Sequence, residues 1–157
     1  MAKIGFIGTG VMGAAMAGHL LDAGNELYVY NRTKAKTDSL VARGATYCAT
    51  PQEIAEVTDI VFSIVGYPKD VREIYFGEKG VFKADVQGTF LVDMTTSEPA
   101  LAQEIYQAAK EAGASALDAP VSGGDIGAKN ASLTIMVGGE EEAYAHLLPY
   151  FETIGKT

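Results

Sequence analysis

The chain reads as an α/β protein built on a doubly wound, mostly parallel sheet. Short apolar runs alternate with amphipathic stretches along its whole length, as repeated βαβ units require. Gly8-Thr9-Gly10-Val11-Met12-Gly13 directly follows an apolar run, Lys3 to Ile7, and opens an alanine-rich stretch that reads as helix to about Ala23. Asp59 to Val65 is nearly continuous apolar sequence, the pattern of a strand covered on both faces.

The remaining elements follow in order. Glu26 to Tyr30 predicts the second strand, with Tyr28 and Tyr30 two apart and therefore facing one layer. Lys34 to Ala42 reads as helix and Ala45 to Tyr47 as a short strand. Pro51 to Val57 reads as a helix with Thr50 as N-cap and Pro51 at its first position. Helix is expected from Lys69 to Tyr75, then a loop through Gly77, Gly80 and Gly88, then strand from Thr89 to Asp93. Glu98 to Ala112 is amphipathic, with Ser97 as the expected N-cap and Gly113 closing it. Ser115 to Asp118 and Leu133 to Val137 read as strands. Glu140 to Leu148 reads as a helix stopped near Pro149, and Phe151 to Ile154 as the start of a last strand. The acids Glu140 to Glu142 suit a helix N-terminus better than a metal site.

A strand, a Gly-x-Gly-x-x-Gly turn, a helix and a second strand together point to a dinucleotide site of the Rossmann type. Gly8 permits the tight turn, Gly10 lets the backbone approach a pyrophosphate, and Gly13 lets the helix pack closely on the strand. The helix start offers unpaired N–H groups and the positive end of a dipole to the phosphates. A site for NAD usually carries Asp or Glu at the end of the second strand, bonded to the ribose 2′-hydroxyl. Here Asn31, Arg32 and Thr33 stand there, with no carboxylate until Asp38. A guanidinium binds a 2′-phosphate that a carboxylate would repel, and Asn31 and Thr33 add neutral donors, so NADP(H) is expected over NAD(H). The alternative for Arg32 is a solvated loop cation.

The chain's 157 residues suffice for one domain with a sizeable core. A net charge of −8 argues against nucleic acid as a partner. The single cysteine, Cys48, excludes an internal disulfide and suits a reducing compartment. With no apolar run long enough to span a bilayer and no signal-peptide pattern, no membrane partner and a cytoplasmic location are expected. His19 and His146 lie on helical stretches without a second ligand at metal-site spacing, and no metal is expected.

Three segments resemble the β-hydroxyacid dehydrogenase family, which includes 3-hydroxyisobutyrate dehydrogenase and tartronate semialdehyde reductase. Gly5 to Ala17 is similar to its N-terminal signature, Asp118-Ala119-Pro120-Val121-Ser122-Gly123-Gly124 to its substrate-binding segment, and Leu133 to Gly139 to the strand that follows. The larger 6-phosphogluconate dehydrogenases share the cofactor domain and the Val-Ser-Gly-Gly core; imine reductases use a similar scaffold. Two positions depart from the pattern: His19 stands where Asn is usual, and Ala131 where glycine is common.

The resemblance implies a small hydroxy acid or semialdehyde substrate held by Ser122, Gly123, Gly124 and Thr96. It implies cofactor contacts from Gly8, Thr9, Gly10, Val11, Met12, Gly13, Asn31, Arg32, Thr33, Val65, Gly66, Thr95 and Thr96. Thr95 could equally serve as a helix cap, and Val65 could be plain core. The family's proton donor is a lysine in a Gly-x₅-Lys-x₃-Asn helix leaving this domain, and no segment here matches it; Lys129-Asn130 has the wrong spacing. Gly155-Lys156-Thr157 is no phosphate loop, because Tyr150 stands where that motif needs glycine. The expectation is an N-terminal cofactor domain lacking its helical C-terminal partner and the catalytic lysine, inactive or nearly so alone, and homo-oligomeric as the full-length protein. The rival reading is a non-catalytic NADPH-binding module.

Overall fold

A six-stranded parallel sheet forms the centre of the chain, whose structure is a computed structural model describing residues 2–96 and 98–157. Its strands are β1 (Lys3–Ile7), β2 (Glu26–Tyr30), β3 (Thr46–Tyr47), β4 (Ile60–Ser63), β5 (Phe90–Asp93) and β6 (Ser115–Asp118), in the spatial order β3-β2-β1-β4-β5-β6. Every neighbouring pair is parallel. The helices are α1 (Val11–Asp22), α2 (Asp38–Ala42), α3 (Pro51–Val57), α4 (Pro68–Phe76), α5 (Pro99–Glu111), α6 (Gly124–Lys129) and α7 (Glu141–Ile154). A small second sheet, β7 (Val121–Ser122), β8 (Leu133–Ile135) and β9 (Gly155–Lys156), follows the first. This is the doubly wound architecture expected from the alternating pattern.

Period-two alternation divides the core into two layers. Ile4 and Phe6 of β1, Leu27 and Val29 of β2, Ile60 and Phe62 of β4 and Val92 of β5 share one layer with Met16, Leu20, Leu147 and Phe151. Ile7, Val61 and Leu91 face the other, against Ile54, Val71, Tyr75, Leu101 and Ile105. Tyr28 and Tyr30 both pack on this second layer, as their spacing requires. Thr50 caps α3 by accepting the Glu53 N–H at 3.1 Å, while the Glu53 carboxylate accepts the Ala49 N–H at 2.9 Å. That reciprocal pair, with Pro51 at the first helical position, fixes the helix start. Ser97, the expected cap of α5, lies outside the described residues; the helix begins at Pro99.

Four expectations are corrected. Lys34 to Ala42 is not one helix but a 3₁₀ turn, Lys34–Thr37, followed by α2. Asp59 to Val65 shortens to β4, since its last residues turn away into the loops above the sheet. Leu133 to Val137 shortens to β8, Leu133–Ile135, and the Gly123-Gly124 pair opens α6, whose buried Ala128 joins the first layer. Pro149 does not stop α7, and Phe151 to Ile154 is helix rather than strand. A proline inside a helix costs about 3 kcal/mol. Beyond it, Phe151 and Ile154 are both fully buried, which contributes about 3–6 kcal/mol and offsets that cost. Phe151 also meets Phe62 edge to face, with centroids 6.3 Å apart.

Both departures from the family pattern act at the end of α6. The His19 Nε2–H, reaching from α1, meets the Ala128 carbonyl at 2.9 Å and the Lys129 carbonyl at 3.0 Å. It therefore satisfies carbonyls that the helix end leaves without partners. Ser132 N–H bonds the Gly127 carbonyl at 2.8 Å and Ala131 N–H the Ala128 carbonyl at 3.3 Å, a Schellman end with Ala131 in the left-handed position at φ 53°. His146 stacks on Phe90, with centroids 4.3 Å apart, and so fills a surface of the core.

A left-handed alanine is strained by about 1–2 kcal/mol, part of which glycine returns as unfolded-state entropy. Ala131→Gly is therefore expected to stabilise the chain by about 0.5–1 kcal/mol. Urea unfolding of the two proteins side by side measures it, with an unchanged or lower midpoint contradicting the strain.

Candidate cofactor cleft

The chain leaves the carboxyl ends of β1 and β4 in opposite directions, and a cleft of about 920 Å³ opens between the loops that follow. Small-molecule sites typically measure about 300–1,000 Å³, and open parallel sheets bind ligands at this reversal point. One wall is the glycine loop and the start of α1. A Cβ placed on Gly13 would collide with the Gly8 carbonyl, which is why α1 approaches β1 so closely. At Gly10 the same test meets nothing within 4 Å: the position is open toward the cleft, and its φ of −67° is one that any residue adopts. Gly10 thus leaves room for a ligand group rather than relieving a contact inside the protein, and a pyrophosphate suits that space at a helix start.

The expected residues separate into those that line the cleft and those that brace it. Gly8, Gly10, Met12 and Gly13 line it, as do Asn31, Arg32, Thr33, Val65, Gly66, Thr95 and Thr96. Thr9 and Val11 do not. Thr9 is buried, and its hydroxyl donates to the Lys36 carbonyl at 2.9 Å, tying the glycine loop to the turn after β2. The Val11 side chain projects into solvent outside the cleft. The Asn31 amide is also occupied: Oδ1 accepts the Thr9 N–H at 2.9 Å and Nδ2 donates to the Thr33 carbonyl at 3.0 Å. These bonds hold the end of β2 against the glycine loop and leave one of the two Nδ2 hydrogens over.

The Arg32 guanidinium is three-quarters exposed and donates through Nη2 to Asp70 Oδ1 at 2.7 Å, a pair that raises its pKa further. Arg32, Lys36 and Lys79 line the cleft beside Asp70, Glu73 and Glu78, so charges of both signs are mixed there. Ser122, Gly123 and Gly124 lie exposed, with Gly123 and Gly124 at φ 131° and 61°; of that segment only Val121 lines the cleft. The structure thus brings most residues of the expected cofactor group, with Thr96, together in one cavity and leaves Ser122, Gly123 and Gly124 outside it. Lys129 is exposed at the end of α6. Among the described residues there is no cluster of metal-ligating side chains.

One buried network went unread in the sequence. Asp93, at the end of β5 and 5% exposed, accepts the Ser63 hydroxyl at 3.0 Å and the Thr95 N–H at 3.2 Å. Ser63 shares a 2.9 Å hydrogen bond with the Tyr75 hydroxyl, and Thr95 Oγ1 accepts the Val65 N–H at 3.0 Å. Thr95 is thus neither a helix cap nor a free hydroxyl; it fastens the loop after β4 to the loop after β5. Burial outweighs the bonds from Thr95 and Ser63 and, with the Asp118 carboxylate adding repulsion, pushes Asp93 up to about 6. The signal available in the sequence was an acid and a serine each ending an otherwise apolar strand.

The sheet order, and a glycine loop feeding a helix start at the reversal point, define an α/β domain of the dinucleotide-binding class. The chain belongs to the family described as the NAD binding domain of 6-phosphogluconate dehydrogenase, which matches residues 3–157. It is 51% identical to the probable 3-hydroxyisobutyrate dehydrogenase-like 1 of Arabidopsis thaliana, a mitochondrial protein, over 98% of this chain and 46% of that one. It is 41% identical to the 2-hydroxy-3-oxopropionate reductase of Escherichia coli (strain K12), over 98% and 52%. A Mycobacterium tuberculosis 3-hydroxyisobutyrate dehydrogenase solved with L-serine superposes with a TM-score of 0.92 at 31% identity, over 99% of this chain and 52% of that one. The structure of Psf3 in complex with NADP+ and 2-OPP superposes at 0.91 and 30%, over 98% and 55%. The chain spans about half the length of the curated relatives it matches.

Two expected outcomes follow from this geometry. Gly10→Ala leaves the unfolding midpoint unchanged or slightly higher but weakens dinucleotide binding at least about tenfold, whereas Gly13→Ala lowers the midpoint itself. Parallel thermal melts and cofactor titrations separate the two; equal effects on both properties would contradict the assignment. The Asp93 carboxyl is raised from 3.8 in the unfolded chain. Its contribution to stability is therefore complete below about pH 4 and is lost as pH rises through about 6. Between about pH 4.5 and pH 8 the protein should lose about 2 kcal/mol that Asp93→Asn does not lose, read from urea unfolding at both values.

Proposed function

We propose that this chain is the cofactor-binding domain of an NADP(H)-dependent oxidoreductase that interconverts a small 3-hydroxy acid and its semialdehyde. The observation that carries this reading is the cleft itself: an open Gly10 at the start of α1, with a guanidinium rather than a carboxylate at the end of β2. The kinship with a 3-hydroxyisobutyrate dehydrogenase-like protein and a 2-hydroxy-3-oxopropionate reductase supports the substrate class.

In this reading the start of α1 holds the pyrophosphate through its unpaired N–H groups. Arg32 takes the 2′-phosphate, and Asn31 and Thr9 keep the two loops in register. The braced pair Val65 and Thr95 bounds the far end of the cleft, beside Thr96, where a nicotinamide would lie. Ser122 and the Gly123-Gly124 backbone would bind the substrate carboxylate from the exposed junction of β7 and α6. The bound cofactor supplies the hydride, and the protein supplies its orientation and the exclusion of water. Proton transfer to the developing alkoxide falls to a lysine of the helical domain that accompanies this one in the full-length enzyme. No membrane contact enters this reading, and among the described residues no helix is long and apolar enough to cross a membrane.

Titration of the chain with NADPH and NADH, followed by cofactor fluorescence, tests the reading. NADPH is expected to bind more tightly, and Arg32→Ala to remove that preference while NADH affinity stays within about twofold. Absence of binding by either cofactor would overturn the proposal, and a preference untouched by Arg32→Ala would overturn the role of Arg32.

A further inference from the structure

Asp70 stands where the discrimination between the two cofactors is decided, although it belongs to α4 rather than to β2. We propose that Asp70 is a second determinant of cofactor choice, supplying across the cleft the carboxylate that the end of β2 lacks and so holding the preference for NADP(H) down. The inference rests on the cofactor cleft proposed above and deepens it.

Three observations carry it. The end of β2 has no carboxylate, and its Asn31 amide is occupied by Thr9 and Thr33. Asp70 reaches the same end of the cleft from the opposite wall, 2.7 Å from Arg32 Nη2, and both residues line the cavity. The two partners are also unequally held. The Asp70 side chain is 14% exposed and that of Arg32 76%. Asp70 sits in the first turn of α4, with its N–H bonded to the Tyr67 carbonyl at 3.0 Å and Pro68 stiffening the helix start. The carboxylate is thus the fixed member and the guanidinium the one free to move.

That asymmetry sets the sign. A 2′-phosphate approaching Arg32 must displace or share a guanidinium face already taken by Asp70 Oδ1, and the carboxylate remains nearby as a like charge. Glu73 of the same helix lines the cleft as well, so Asp70 is reinforced by its neighbours, with Lys36 on the β2 side opposing them. A ribose carrying a free 2′-hydroxyl meets no such repulsion and can donate to Asp70 Oδ2, which makes no hydrogen bond among the described residues. The opposite role, Asp70 orienting Arg32 for the phosphate, predicts the reverse change, and the two are separable.

Asp70→Asn tests this, since it keeps the size and an acceptor but removes the charge. Dissociation constants for NADPH and NADH are measured for the unaltered chain and the variant, with thermal melts to verify folding. The NADPH-to-NADH affinity ratio is expected to rise about five- to tenfold, through tighter NADPH binding and equal or weaker NADH binding. That gain should shrink as salt rises, as it does for exposed charges. An unchanged or lowered ratio in a folded variant overturns the inference. Failure of the unaltered chain to bind either cofactor instead overturns the proposed function beneath it. Should the Asp70→Asn protein melt early, Asp70→Ser with the same two titrations gives the same decision.

Discussion

The contact that the rest of the architecture hangs on is the approach of α1 to β1, where Gly13 lies against the Gly8 carbonyl with no room for a side chain between them. It sets how closely the first helix lies on the central strand, and so where the helix start points. That start forms one wall of the cleft. The same helix carries Met16, Ala17 and Leu20 into the core layer shared with Phe6 and Phe62, and presents His19 to the end of α6. Widening this single contact would move the ligand wall, one core layer and the seat of α6 together.

The cleft is held from behind by polar braces as well as by apolar packing. Thr9, Asn31 and the Lys36 carbonyl join the glycine loop to the end of β2. Ser63, Asp93 and Thr95 join the ends of β4 and β5. These bonds lie where strands give way to loops, the places where backbone groups lose their ladder partners and would otherwise be buried without any. A net hydrogen bond is worth only about 1 kcal/mol, but a buried group left unpaired costs more, so each brace fixes geometry chiefly by making alternatives expensive. The ionisable Asp93 at the centre of the second brace makes that part of the wall sensitive to pH as well as to sequence.

The curated relatives match essentially the whole chain over about half their own length, and under the proposed function this domain would position a cofactor while the rest of the protein completed the substrate pocket. The location of Ser122, Gly123 and Gly124 fits that division. They lie on exposed backbone beside the cleft rather than inside it. Under that proposal, a substrate segment shared between two domains would face outward.

What the sequence by itself determined is whatever local periodicity and backbone sterics control. The alternation of strand and helix, the single layer shared by Tyr28 and Tyr30, the Thr50 cap and the glycine loop were all legible, because each depends on residues within a few positions of one another. The tertiary structure decided the rest. Pro149 could continue α7 only because Phe151 and Ile154 find the sheet beneath them, and α6 formed from a glycine-rich stretch because Ala128 and His19 seat it on α1. Asn31 became a brace, and Arg32 acquired Asp70 from 38 residues away. Such outcomes depend on partners brought together by folding, and neither spacing nor propensity along the chain encodes which distant carboxylate will arrive beside a given guanidinium.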